Sequence, residues 1–133
     1  MAGLFSVICW LTVSLQAQEI SLSSLPPVIV KTIPQSGDTD VDPDLGEIKI
    51  TFSMDMLDQS WSFVQVSEES YPQIQGKPEY LDDRRTCVVK VNLEPGKTYA
   101  IWLNSDRHKN FKGTNQKSAI PYILSFSTAV KSK

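Results

Sequence analysis

Leu93-Glu94-Pro95-Gly96-Lys97-Thr98-Tyr99-Ala100-Ile101-Trp102-Leu103 is the stretch whose reading decides the fold. Pro95 fixes φ at the second position of a turn, and Gly96 supplies the positive φ that a type II turn needs next. From Tyr99 onward the side chains alternate, with Tyr99, Ile101 and Leu103 on one face and Ala100 and Trp102 on the other. That period of two marks a strand. A tyrosine at its head can anchor its hydroxyl on backbone just upstream, as in the tyrosine corner of Greek-key sandwiches.

The neighbouring segments carry the same signature. Glu47 to Phe52 alternates with Ile48, Ile50 and Phe52 on one face, the pattern of a strand with one wet side. Val28 to Ile33 reads as a first strand and Ile120 to Thr128 as a last one, with Tyr122, Leu124 and Phe126 sharing a face. Pro78 to Leu81 and Arg85 to Val91 form a hairpin around Asp82-Asp83-Arg84, whereas Glu68 to Gly76 reads as a loop with one short strand. Ser60 to Val66 is strand-like but apolar on both faces. One helical turn is expected at Asp55 to Gln59, and Asn104 to Ala119 reads as a long polar loop. About seven short strands punctuated by turns predict an all-β sandwich.

The composition agrees with one packed domain. Of 133 residues, 41% are apolar and 21% charged, enough for a core and too few charges for global disorder. The net charge of -2 and scattered lysines and arginines exclude a nucleic-acid face, which needs a basic stripe.

Met1 to Gln18 carries no charged side chain. Its apolar run, Leu4 to Leu15, is about 12 residues, short of the roughly 20 a membrane span needs and suited to a signal peptide. Leu15-Gln16-Ala17 places a small residue before a cut that leaves Gln18 as the new N-terminus. The expected organisation is a signal peptide at 1–17, a linker at 18–27, a sandwich at 28–129 and a tail at 130–133, with no transmembrane segment in the mature chain. Export to the periplasm, cell surface or medium follows. Cys9 would leave with the signal, so Cys87 stands alone and no disulfide staples the domain. Its place beside Val89 and Val91 in the alternation makes it a buried small hydrophobe.

Several landmarks occur in order: Pro27-Val28-Ile29-Val30, Pro34-Gln35-Ser36-Gly37, Val41-Asp42-Pro43, Ile48 to Ser53 with Met56, Leu93 to Tyr99, and Leu124 to Thr128. Together they resemble the bacterial Ig-like family first associated with an S-layer protein, the SbsA-type Ig-like domain (Big_5), over nearly all of Pro27 to Ala129. The resemblance implies an immunoglobulin-like Greek-key β-sandwich outside the cytoplasm, an accessory module with no catalytic residues to carry over. The chain departs from the family at Asp106 to Asn115, which is longer and more basic than the usual Asp-rich loop.

Candidate chemistry is sparse. Asp38, Asp40 and Asp42 mimic the opening of a Ca²⁺ loop, but the positions needing Gly and Glu hold Pro43 and Lys49. Aspartates that form turns and protect an edge explain the run better. Ser105, Asp106 and His108 crowd one loop without the rigid frame and oxyanion hole of acyl-transfer chemistry. Met54, Met56, Cys87 and His108 raise a copper-carrier reading, which wants clusters of thioether and imidazole ligands. No cofactor or metal is expected, and no enzymatic activity.

Trp102 is the leading candidate for function. It points outward if Tyr99, Ile101 and Leu103 point inward, and the adjoining last strand would add Ile123 beside it. The Ser60–Val66 strand, set alongside, would add Trp61 and Phe63, or else Val64. Aromatics on a sheet face suit sugar stacking or a protein interface. The expected binding set is therefore Trp102, Trp61, Asn104, Ile123, Asn110 and Phe111. These readings describe an exported interaction or assembly module with an envelope or extracellular protein as partner, a carbohydrate-binding module as the alternative, and a periplasmic copper sandwich behind both.

Overall fold

The computed structural model describes residues 3, 4, 6 and 19–131. The expected signal peptide, with Cys9 and the cut before Gln18, lies almost wholly outside them.

Among the described residues seven strands follow in order: β1 (Ile29–Ile33), β2 (Glu47–Phe52), β3 (Phe63–Gln65), β4 (Gln73–Tyr80), β5 (Thr86–Asn92), β6 (Thr98–Leu103) and β7 (Tyr122–Ser127). They form two antiparallel sheets, one ordered β1-β2-β5-β4 and the other β3-β6-β7. That is the strand order of a constant-type immunoglobulin sandwich, in which β6 occupies the position where a tyrosine corner belongs. The only described helix is one short turn at Leu22–Ser24, inside the expected linker.

The alternation read from sequence sets the two inner faces. Ile48, Ile50 and Phe52 of β2 and Cys87, Val89 and Val91 of β5 are buried on one side. Tyr99, Ile101 and Leu103 of β6 and Leu124 and Phe126 of β7 are buried opposite them. The turn ahead of β6 has Gly96 at φ 62°, and Tyr99 Oη accepts a 2.7 Å hydrogen bond from the Glu94 amide. The tyrosine corner is present.

Four expectations need correcting. β4 starts at Gln73, so the short strand expected within Glu68–Gly76 is continuous with the one expected from Pro78. Its alternation is masked because Gly76, Lys77 and Pro78 bulge opposite a single residue, Val89. β3 is only Phe63–Gln65, shorter than Ser60–Val66. Asp55 to Gln59 makes no helical turn, because Met56 bridges to Gly113 and Gln59 adopts φ 60°. The Asn104–Ala119 connection is not a solvated loop, since Asn104, Phe111, Gly113 and Ala119 are all buried. A Cβ on Gly113 would sit 2.9 Å from both Met54 and Pro27, so the strap passes closely over the end of the sandwich.

Candidate binding face

Register places Val64 of β3 opposite Trp102 of β6, and Trp102 opposite Ile123 of β7. Residues directly opposite in antiparallel strands share a face. The three therefore make one apolar row across the outer surface of the three-stranded sheet. Trp102 and Val64 are half-buried, and Ile123 is 40% exposed.

A cleft of about 420 Å³ opens beside this row. Trp102, Val64 and Pro121 give it an apolar floor, and Ser105, Asp106, Arg107 and His108 give it a polar wall. The wall is a tight turn in which the Ser105 amide donates to the His108 carbonyl at 2.8 Å. The His108 amide donates to Ser105 Oγ at 3.2 Å, so that hydroxyl already closes the turn. An apolar floor with a polar rim recognises a surface or a ligand by burial and orientation.

The other expected site residues lie elsewhere. Asn104 is fully buried with φ 60°, and its side chain serves the connection that follows β6. Its Nδ2 donates to the carbonyls of Phe111 and Ala119 at 2.9 and 3.0 Å, and its Oδ1 accepts from the Phe111 amide at 2.9 Å. Phe111 is fully buried between Phe52 and Phe63, each ring centroid 5.2 Å away. Neither residue can meet a partner at the surface. Alternation would carry Asn104 outward beside Trp102, but its φ of 60° ends the strand there, and Phe111 lies in the connection that folds back into the core.

Trp61 lies on the inner side, packed against the core beyond the start of β3, so it does not join Trp102. With Phe63, Tyr71, Ile74 and Pro78 it lines a second groove of about 630 Å³, between the edges of β3 and β4. Asn110 is exposed, but its amide donates to Ser62 Oγ at 3.0 Å and its carbonyl accepts from the Ser60 hydroxyl, tying the connection to the approach of β3.

The metal-like residues are not brought together. Met56 and Cys87 are core, while His108 borders the two clefts at the β3 side. Burial, with the negative charge of Asp58 second, pushes the Cys87 thiol up to about 12. Among the described residues no group of three or more His, Cys, Asp or Glu side chains converges. Asp38 and Asp42 cap turns instead, accepting from the amides of Gln35 and Asp44 at 3.0 and 2.8 Å. No described helix is long and apolar enough to cross a membrane.

The seven-stranded order, the tyrosine corner and the packed interior define an immunoglobulin-like β-sandwich. The family model for the bacterial Ig-like domain (Big_5) matches residues 23–128, and the chain belongs to that family. No curated protein matches. Among solved structures, the N-terminal part of the bacterial S-layer protein SbsC is similar at 18% identity and a TM-score of 0.54, over 80% of this chain and 24% of that one. A structure of SbsC domains 1–6 gives 18% and 0.53 over 80% of this chain and 14% of that one. The crystal structure of a longer SbsC segment gives 18% and 0.52 over 79% and 14%. Identity this low shows the fold alone, and this chain spans only a small part of those proteins.

Proposed function

We propose that this protein is an exported, non-catalytic interaction module of the cell envelope or extracellular space. It holds a protein partner through the outer face of β3, β6 and β7. The observation that carries the reading is the Val64–Trp102–Ile123 row with the cleft beside it. Apolar residues that a stable fold leaves partly uncovered on one sheet face are the raw material of an interface, and tryptophan is the residue that most often dominates one. Family membership and the apolar Leu4–Leu15 run support export. The protein recovered from its host is expected to begin at Gln18 on N-terminal sequencing.

The face is tested by affinity capture from the host envelope with the purified protein as bait, beside a Trp102→Ala bait of matched melting temperature. Loss of the captured partner with Trp102→Ala supports the reading, and equal capture by both baits removes it. Sugar binding is the second reading, favoured by one ring lying beside the polar wall Ser105–His108. It is weaker because Trp61, which would have made a second stacking platform, lies on the other side of the sheet. Tryptophan emission that shifts with glycans in the parent but not in Trp102→Phe would transfer the assignment to carbohydrate.

A further inference from the structure

Among the described residues four strands lie at sheet edges, and three of them are protected. β7 is covered by the segment before Val41. The Gly37 amide donates to the Ser125 carbonyl at 2.7 Å, the Ser127 amide to Asp38 at 2.8 Å, and the Val41 amide to Ser127 at 3.1 Å. β1 carries a bulge at Val30, the charge of Lys31, and Pro34 just past its end. β4 carries the Gly76–Pro78 bulge with Lys77 and Glu79. Bulges, prolines, charges and covering segments are the devices by which sheets refuse further strands.

Among the described residues, β3 has none of these. From Ser60 to Ser67 the chain contains no charged residue, proline or glycine. The orientation of its backbone groups follows from one bond and the register. The Asn104 amide donates to the Ser62 carbonyl at 3.1 Å, and the Ala100 amide, four residues earlier and so of the same parity, donates toward the same side, to Ser70. Hydrogen-bonded and non-bonded pairs alternate along an antiparallel ladder. Val64 and Trp102 are thus a bonded pair, and Phe63 and Gln65 turn their N–H and C=O groups away from β6. Among the described residues, neither Phe63 nor Gln65 makes a backbone hydrogen bond beyond that pairing. The open groove between β3 and β4 leaves this edge accessible.

We propose that this edge pairs with a second copy of the same chain, β3 against β3, antiparallel about a two-fold axis through Val64. That register is self-complementary. Phe63 of each copy exchanges both backbone bonds with Gln65 of the other, and Val64 faces Val64 as a non-bonded pair. The paired strand confronts only uncharged residues, and its flanks, Ser60 to Ser62 and Val66 to Ser67, bring no charge to the seam. The two three-stranded sheets become continuous, and their Val64–Trp102–Ile123 rows join end to end. Self-matching of donors, acceptors and charge is what argues for a second copy over an unrelated peptide. The inference is independent of which ligand the outer face takes.

The test uses the purified protein in sedimentation velocity across micromolar to near-millimolar concentrations, with variants. The parent is expected to show a concentration-dependent dimer. Gln65→Pro removes a donor that no bond among the described residues uses, and the dimer is lost while the melting temperature stays close to that of the parent. Should proline disturb the monomer, Gln65→Lys places like charge on the edge of both copies and gives the same loss. In a Cys9→Ser background, Val64→Cys forms an intermolecular disulfide under mild oxidation, because non-bonded pairs bring Cα atoms to about 4.5 Å. Ile123→Cys, exposed on the same face but far from the axis, does not. A parent that stays monomeric at every concentration, a dimer indifferent to both Gln65 variants, or equal crosslinking at Val64 and Ile123 overturns the proposal. Capture of another protein's strand at β3 by a monomeric parent also overturns it.

Discussion

The amide of Glu94 donates to the hydroxyl of Tyr99 at 2.7 Å, closing the turn that carries the chain from one sheet to the other. Tyr99 is buried, its ring stacked on Phe126 with centroids 5.5 Å apart, so packing and one polar contact fix the same residue. Thr128 reinforces the corner from β7's end. Its hydroxyl accepts from the Lys97 amide at 3.0 Å and donates to the Glu94 carbonyl at 2.5 Å.

Tyr99→Phe keeps the ring and its stacking and removes only the acceptor. The Glu94 amide then loses its partner in a partly buried turn, a loss of about 1–2 kcal/mol. In a domain of this size each ~1 kcal/mol lowers the melting temperature by roughly 4–8 °C. Urea denaturation should show a lower midpoint with an unchanged slope. A midpoint equal to the parent's would show that the corner is held by packing alone.

Asn104 is expected to be the most sensitive polar position in the molecule. Asn104→Ala leaves the Phe111 amide and the Phe111 and Ala119 carbonyls without its side chain, at a cost of about 3 kcal/mol or more. Asn104→Gly loses the same bonds but accepts φ 60° freely, so it should be milder than alanine by about 1 kcal/mol. Equal destabilisation by the two would deny the backbone contribution.

These two residues mark how much was legible in the sequence. Tyr99 announced itself because turn chemistry, alternation and an aromatic at the strand head all point to one geometry. Trp102 could be turned outward by parity alone. Asn104 and Phe111 could not be placed, because a short-range pattern does not reveal that the following connection folds back under the sheet ends. A signal was present: an asparagine just after a strand tolerates the left-handed region, and Phe111 is the lone aromatic of a polar stretch. For Trp61 parity offered two answers, Trp61 with Phe63 or else Val64 beside Trp102, and only the register, Val64 opposite Trp102, decides for Val64 and turns Phe63 and Trp61 to the other side.

Asp83 should make the β4–β5 hairpin sensitive to acid. Its carboxylate accepts from the Thr86 hydroxyl at 2.6 Å and from the Arg85 and Thr86 amides at 2.9 Å each. The Thr86 hydroxyl, then these amides, then the Arg85 charge hold its pKa below the ordinary value. A depressed folded-state pKa stabilises the fold above the unfolded value, about 3.9, and that contribution disappears as pH falls through the folded one. The gap in urea midpoint between parent and Asp83→Ala should therefore be full near neutrality and shrink in acid. A gap that stays constant with pH would assign the effect to lost turn geometry rather than to charge.

Cys87 should set the alkaline limit of stability. The thiol is buried on β5, paired in register with Ile50 and Tyr80, and raised to about 12. In the unfolded chain it ionises near its ordinary value of about 8.5. Between these values the unfolded state has released a proton that the native state still holds, so stability falls as pH rises, by at most ~1.4 kcal/mol per pH unit from this group. Tyr80, raised chiefly by burial, adds a second fall that begins higher, above the ordinary tyrosine value of about 10. Cys87→Ala should flatten the first part of the alkaline decline and leave the second. In mildly alkaline buffer the native parent should resist thiol reagents and react only once unfolded, whereas fast labelling of the folded protein would contradict the buried assignment.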